Sequence, residues 1–113
     1  MDITVTPGPI GAGIAVVSLC GRLDLLSAAA VKQRLATEVA AGHKKLIVDL
    51  GDVAFIDSSG LGALISGLKA ARQAGGDLRI ARPCDQARLV MKLTTLDRVL
   101  RPYLTVDEAI AGY

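Results

Sequence analysis

The sequence predicts an α/β protein: a single mixed β-sheet of roughly four to five strands, with about four helices packed against it. Short apolar runs alternate along the chain with segments of helical periodicity. Hydrophobic residues make up 51% of the chain but aromatic residues only 3%, so Leu, Ile, Val and Ala must build the core. A length of 113 residues fits one domain, and we expect a single domain over residues 1–113.

The chain opens with two predicted strands. Ile14 to Cys20 is rich in β-branched residues and lies between two glycines. Ile3 to Val5 precedes the turn-forming sequence Pro7-Gly8-Pro9 and is expected to pair with the longer run as an edge strand.

A first helix is predicted from Ser27, which is placed as its N-cap, to Gly42, which ends it. Leu26 and Val31 have the spacing of a hydrophobic staple around that cap. The expected buried stripe consists of Val31, Leu35 and Val39.

The middle of the chain predicts a βαβ unit. Leu46 to Leu50 is almost continuously apolar, as expected for a central parallel strand that is covered on both faces. A helix is predicted from about Ser58 to Ala74, and a further strand from Leu78 to Ala81, connected in the right-handed sense. The buried stripe of that helix is expected to be Leu61, Leu64, Ile65 and Leu68.

The C-terminal part predicts a helix over Asp85 to Leu93. Val99 to Leu104 is expected to form a short edge strand interrupted by Pro102. Thr105 and Glu108 have the spacing of a capping box that opens a last helix.

Composition argues against several classes of protein. A formal net charge of +2 does not predict direct binding to nucleic acid or to an anionic membrane. The start of the chain has no leader pattern, so we expect a cytoplasmic protein. Cys20 and Cys84 are expected to be reduced and mostly buried, and with one histidine no Cys/His metal site and no cofactor are expected.

The segment that follows the central strand is the candidate site. If Ser58 were the N-cap of the helix, its staple positions would be Asp57 and Gly62, which cannot pack together; with Asp57 as the cap they are apolar. Asp57 is therefore predicted as the cap, with Ser58 in the first turn. Ser59, Gly60 and Gly62 leave that turn bare, although glycine disfavours a helix, and a bare turn allows a partner's backbone to approach. Spacing alone equally fits a helix start rich in capping residues.

Phe55 to Gly62, read as Phe-Ile-Asp-Ser-Ser-Gly-Leu-Gly after an apolar strand, resembles the motif of STAS-domain anti-sigma factor antagonists. Gly21 to Asp24 resembles the strand-ending Gly-x-Leu-Asp of that family, and Leu96 to Leu100 fits its C-terminal part. The first serine of the motif is the family's phosphorylation site, which corresponds here to Ser58. The resemblance implies a partner-binding surface made of Asp24, Asp57, Ser58, Ser59, Gly60, Leu61 and Gly62.

The same resemblance implies a partner switch. The unphosphorylated protein binds an anti-sigma factor that has serine kinase activity and thereby releases the sigma factor. Phosphorylation of Ser58 inactivates the protein, and a serine phosphatase resets it. One departure from the family is Thr94-Thr95, where relatives commonly have Thr-Gly, and this leaves the shape of that loop open because β-branched residues avoid left-handed backbone.

Three other functions are alternatives to a partner switch. Catalysis by Ser58 or Ser59 requires an activating base, and His43 is separated from them by the central strand, so we expect no enzyme. A STAS module that is never phosphorylated, within a membrane transport or signalling complex, is an alternative. A scaffold of a larger signalling assembly is another, which the oligomeric state would distinguish.

One carboxylate and the histidine have simpler interpretations. Asp49 is expected to be a structural carboxylate with its hydrogen bonds satisfied, and His43 to be solvated.

Overall fold

The computed structural model describes residues 1–9 and 11–113. Within these residues the chain forms five strands and five helices. In chain order they are β1 (Asp2–Pro7), β2 (Ile14–Leu23), α1 (Ala28–Ala40), β3 (Lys45–Ile56), α2 (Ser58–Gln73), β4 (Asp77–Ala81), α3 (Asp85–Leu93), α4 (Asp97–Leu100), β5 (Pro102–Tyr103) and α5 (Val106–Ala111).

The strands form one mixed sheet in the order β1-β2-β3-β4-β5. β1 runs antiparallel to β2, and the other neighbouring strands are parallel. Helices α1 and α2 make the crossovers on either side of β3, since parallel neighbours need a long connection. The predicted single mixed sheet, the opening antiparallel pair and the central parallel strand are confirmed.

The larger core lies between the sheet and α1 to α3. Residues 46–50 of β3 are all buried, as expected of a strand covered on both faces. On α2, Leu61, Leu64 and Leu68 are buried as predicted, whereas Ile65 is only partly buried. Among the described residues, no helix is both long enough and apolar enough to cross a membrane.

A smaller core on the opposite face of the sheet is covered by α5. It contains Ile14, Val16, Ile47, Ala81 and Ala109. The Thr105 hydroxyl accepts a hydrogen bond from the backbone N–H of Glu108 at 3.0 Å, which confirms the predicted cap of this helix.

Asp49 has the structural role that was predicted for it. Its two oxygens accept hydrogen bonds from Arg82 Nε at 2.9 Å and Arg82 Nη2 at 2.7 Å. A third hydrogen bond comes from the backbone N–H of Gly51 at 3.0 Å. The hydrogen bond to Asp49, followed by its charge, raises the pKa of Arg82. The carboxylate is therefore satisfied by a bidentate ion pair between β3 and the end of β4.

The hydrophobic staple predicted at the start of α1 is wrong. Leu26 is 94% exposed, so it does not pack on the buried Val31. Ser27 precedes the helix but makes no side-chain cap; its hydroxyl donates to the carbonyl of Arg22 at 2.7 Å. The hydroxyl instead stabilises the preceding turn, because Ser side chains readily form hydrogen bonds to nearby backbone groups.

The edge strand predicted over Val99 to Leu104 is also wrong in its extent. The chain forms the short helix α4 and buries Leu100, and Arg101 then takes a left-handed backbone conformation that ends the helix. Only Pro102 and Tyr103 pair with β4. The additional short helix brings the described helices to five instead of about four.

Cys20 is exposed and Cys84 is partly buried, and both thiols are free. The expectation of mostly buried thiols is therefore wrong for Cys20. Cys20 lies opposite Asp2 of the edge strand. The apolar sequence pattern of β2 did not show that its side chain lies outside the core.

Thr95 follows α3 with a left-handed backbone, at φ +58°. The chain thus retains a loop shape that glycine adopts easily, with a β-branched residue at that position. A non-glycine residue in this conformation costs about 1–2 kcal/mol.

We therefore expect Thr95→Gly to raise the free energy of unfolding by up to about 1 kcal/mol, since the removed strain exceeds the entropy cost of glycine. Urea denaturation measures the difference. The control is Thr94→Gly, because Thr94 has an ordinary helical backbone at φ −93° and should lose stability on the same change. Equal effects at the two positions would contradict the strain at Thr95.

Candidate functional site

The turn between β3 and α2 is held by the side chain of Asp57. Its backbone is extended, and its Oδ1 accepts a hydrogen bond from the N–H of Gly60 at 2.9 Å. This is the predicted N-cap, and it satisfies one of the free donors of the first turn. Ser58 is consequently the first residue of α2, at the positive end of the helix dipole, and it is exposed.

The second oxygen of the same carboxylate binds the turn that follows β2. Asp57 Oδ2 accepts a hydrogen bond from the N–H of Leu25 at 3.2 Å. The backbone N–H of Asp57 also donates to the carbonyl of Leu23 at 3.2 Å. Asp57 therefore fixes the start of α2 against a turn that lies 32 residues earlier in the chain.

That earlier turn is built around Asp24. Asp24 Oδ1 accepts a hydrogen bond from the N–H of Leu26 at 3.1 Å, and the N–H of Asp24 donates to the hydroxyl of Ser27 at 3.0 Å. Short-range bonds of this type stabilise turns. The structure thus brings together the turns of Asp24 and Asp57, which the sequence placed in separate motifs.

A cation lies at the same corner. Arg22 Nε is 3.5 Å from Asp24 Oδ2, and the guanidinium lies 4.4 Å from the centre of the Phe55 ring. The Arg22 side chain is 66% exposed, so this ion pair adds little stability. The sequence did not indicate Arg22 as a neighbour of the site, because Arg22 is distant from the Ser58 motif along the chain.

Gln86, on α3, is a second residue that the sequence analysis missed. Its amide nitrogen donates to the carbonyl of Ile56 at 2.8 Å, and its amide oxygen accepts from the N–H of Ile56 at 2.9 Å. Both backbone groups of the residue before Asp57 are therefore bound by one side chain. Nothing in the sequence around Gln86 indicates this role, since its partner is 30 residues away.

The histidine lies at the other end of β3. His43 Nδ1 is 3.0 Å from Glu38 Oε1, so the expectation that this side chain is simply solvated is wrong. Within residues 1–9 and 11–113 no cluster of three or more acidic, His or Cys side chains has the arrangement of a metal site.

A sequence model of the STAS domain family matches residues 4–109 of the chain. The chain belongs to the STAS domain family. A relative from Thermotoga maritima is 36% identical over 69 residues, which are 61% of this chain and 61% of the relative. A Mycobacterium tuberculosis relative, the anti-sigma-F factor antagonist RsfB, is 32% identical over 111 residues, covering 98% of this chain and 89% of RsfB. The present chain thus spans about three fifths of the length of the Thermotoga protein.

Solved structures agree with this family. The crystal structure of an anti-sigma factor antagonist from Mycobacterium paratuberculosis superimposes with a TM-score of 0.85 at 28% identity, covering 98% of this chain and 92% of the other. The unphosphorylated form of the anti-sigma factor antagonist SpoIIAA gives a TM-score of 0.80 at 21% identity, covering 96% and 93%. At that identity the likeness to SpoIIAA establishes the common fold.

Exposed leucines lie on two elements of this STAS domain that are fixed to the Asp57 turn. Leu25 and Leu26, in the turn bound by Asp57, are 73% and 94% exposed. Leu89 and Leu93 project from α3, the helix that Gln86 ties to Ile56, and are 55% and 75% exposed. Single exposed leucines are common on protein surfaces, but two pairs on elements bound to the same turn are candidates for contact with a protein partner.

The two glycines of the first turns of α2 differ in their surroundings. Gly60 is buried, and a Cβ there would overlap the carbonyl oxygen of Leu23 and lie 2.8 Å from Leu23 Cγ. Gly62 is exposed, and a Cβ there would have no neighbour within 4 Å. Gly60 is thus explained by the packing of α2 on β2.

The two other residues of the predicted surface in this turn differ in exposure. Leu61 is also buried, and Ser59 is partly buried.

Substitution by alanine should therefore affect the free energy of unfolding differently at Gly60 and Gly62. Gly60→Ala should lower the free energy of unfolding by about 1–3 kcal/mol, because the backbone of Leu23 must move to admit the methyl group. Gly62→Ala should leave it unchanged or raise it by up to about 1 kcal/mol through helix propensity. Thermal and urea unfolding of the two variants provide the measurement. Full stability of Gly60→Ala would refute the close packing described here.

Proposed function

We propose that this STAS domain is a cytoplasmic anti-sigma factor antagonist. In its unphosphorylated form it binds an anti-sigma factor that has serine kinase activity, and it thereby releases the sigma factor. Phosphorylation of Ser58 ends the binding, and a serine phosphatase restores it. The observation that carries the proposal is the exposed hydroxyl-bearing residue Ser58, set in the rigid turn of Asp57 beside exposed leucines.

The relatives support this assignment by their names. RsfB is an anti-sigma-F factor antagonist, and it aligns with nearly the whole of this chain. SpoIIAA has been solved in a phosphorylated form, which shares the fold with a TM-score of 0.74 at 20% identity, covering 98% of each chain. A serine switch of this kind is what the motif Asp57-Ser58-Ser59 of the present chain is expected to provide.

The docking surface that we propose consists of Ser58 and Gly62 with Leu25, Leu26, Leu89 and Leu93. Each leucine buried by a partner contributes about 1.5–3 kcal/mol when it is fully covered. The open space beside Gly62 permits close approach by the partner's backbone. Asp24 and Asp57 contribute by holding the turns in place, since their carboxylates bind backbone groups of this chain. Gly60 and Leu61 support the surface from below, because both are buried.

Phosphorylation would change the charge of this surface. A phosphate on Ser58 adds about −1.5 to −2 charges beside the carboxylates of Asp24 and Asp57. It also adds bulk where the partner must approach closely, so docking is weakened both by the cost of taking the added charge out of water and by lost fit. The phosphate favours the positive end of the α2 dipole by about 0.3–1 kcal/mol, and the helix therefore remains folded.

The first test is phosphorylation itself and its effect on binding. Ser58→Ala should accept no phosphate from the cognate kinase yet bind it as the wild type does. Ser58→Asp should raise the dissociation constant by about tenfold or more, because the partner would then have to cover a charge that is exposed to water in the free protein. Mass mapping of the phosphate after incubation with ATP and titration calorimetry provide the two measurements.

Ser59→Ala is the matched control, since it removes the neighbouring hydroxyl and should leave phosphate transfer to Ser58 intact. A phosphate that maps to Ser59, or equal affinities of the wild type and Ser58→Asp, would overturn this part of the proposal.

A second test addresses the leucine surface. Leu26→Asp should abolish or strongly weaken binding to the anti-sigma factor while leaving thermal stability unchanged, because the side chain is 94% exposed in the free protein. Leu104→Asp is the control, as Leu104 is 66% exposed in the segment between β5 and α5. If both variants bound normally, the leucine turn would lie outside the interface.

A further inference from the structure

β1 is an unprotected edge of the sheet. Among the described residues it pairs only with β2, through six consecutive residue pairs from Asp2 with Cys20 to Pro7 with Ala15. Half of its backbone N–H and C=O groups therefore point away from the sheet. Edge strands are usually blocked by lysines, bulges or a covering element. β1 contains no lysine or arginine, and only Pro7 at its end interrupts the row of donors.

A groove opens between Ile3 of this edge and α1. Its volume is about 310 Å³, and it is lined by Ile3 of β1 and by Ala30, Gln33, Arg34 and Thr37 of α1. Ile3 and Val5 are partly buried and pack against the core on this face, whereas Asp2, Thr4 and Thr6 are exposed on the other face. A strand added beside β1 would place every second side chain on the same face as Ile3 and Val5, with one of them beside the groove.

We propose that the occupant is β1 of a second copy of this chain, paired antiparallel about a two-fold axis at Thr4. Residues directly opposite each other in an antiparallel pair lie on the same face of the sheet. In this register Val5 of the second copy lies opposite Ile3 and places a β-branched apolar side chain beside the groove, and the two-fold axis repeats this contact at the other groove.

The charges of the strand agree with this self-pairing. Asp2 is its only charged side chain, and it lies opposite the neutral Thr6 of the second copy. No like charges face each other, and the two-fold arrangement uses both open edges at once, so the assembly is closed at a dimer. The two sheets become one sheet that is continuous through β1.

Sedimentation of the full chain over a concentration series tests the dimer, with any purification tag kept at the C-terminus. The wild type is expected to show a concentration-dependent dimer. Thr4→Lys places two lysines opposite each other on the axis and should raise the dissociation constant at least about fivefold. Thr6→Lys, the same change two residues along the same exposed face, places the lysine opposite Asp2 and should leave the dimer unchanged or tighter.

Two further measurements keep the proposal falsifiable. An equimolar mixture of Thr4→Lys and Thr4→Glu should restore dimers, because opposite charges then meet on the axis. Amide hydrogen exchange of residues 2–7 in the wild type should slow as the concentration rises. A monomer at every concentration, equal losses for Thr4→Lys and Thr6→Lys, or no recovery in the mixture would overturn the proposal. None of these results depends on Ser58 or on an anti-sigma factor.

Discussion

Asp57 accepts one hydrogen bond from the first turn of α2 and another from the turn that follows β2. A carboxylate is suited to this double role because it has two acceptor oxygens and no donor. The start of α2 and the Asp24 turn are consequently positioned by the same group, and Gln86 fixes the residue before it from α3. Three elements distant in sequence thus converge on Ser58, and the exposed leucines are carried by two of them.

The first turns of α2 have one buried side and one exposed side. Gly60 lets α2 approach the end of β2 so closely that a methyl group would not fit, and Leu61 is buried beneath the same turn. Ser58 and Gly62 are exposed on the other side of the helix. A partner that docks on such a surface loses little conformational entropy in ordering it. The proposed phosphate on Ser58 would change the charge and shape of this exposed side, whereas Gly60 and Leu61 are buried on the other.

The sheet has two edges of different kinds. β5 consists of two residues, one of them a proline, and therefore offers few free backbone groups for pairing. β1 has six residues and a groove beside it. A contact between copies is expected at the long edge for this reason. The proposed docking surface lies on a different part of the fold, the turns after β2 and β3 together with α3, so the proposed self-association and partner binding involve separate residues.

The sequence by itself determined the elements whose cause is local. The alternation of apolar runs and helical stripes was sufficient to predict one mixed sheet, its central strand over residues 46–50 and the Asp57 cap of α2, because periodicity and capping act over a few residues. The motif from Phe55 to Gly62 was also sufficient to indicate the STAS domain family, whose model matches residues 4–109. The strand predicted over Val99 to Leu104 was too long. Nothing in the sequence indicates that Arg101 ends a helix there in a left-handed conformation.

Tertiary structure alone decided the contacts between distant segments. The bonds of Asp57 to the Leu25 turn and of Gln86 to Ile56 join residues that no local pattern connects. Tertiary structure also gives two similar glycines different surroundings. Leu23 packs against Gly60, whereas no packing neighbour lies within 4 Å of a Cβ built on Gly62. The exposure of Leu26 likewise depended on the turn that Asp24 and Asp57 hold, whereas the sequence alone favoured a buried staple.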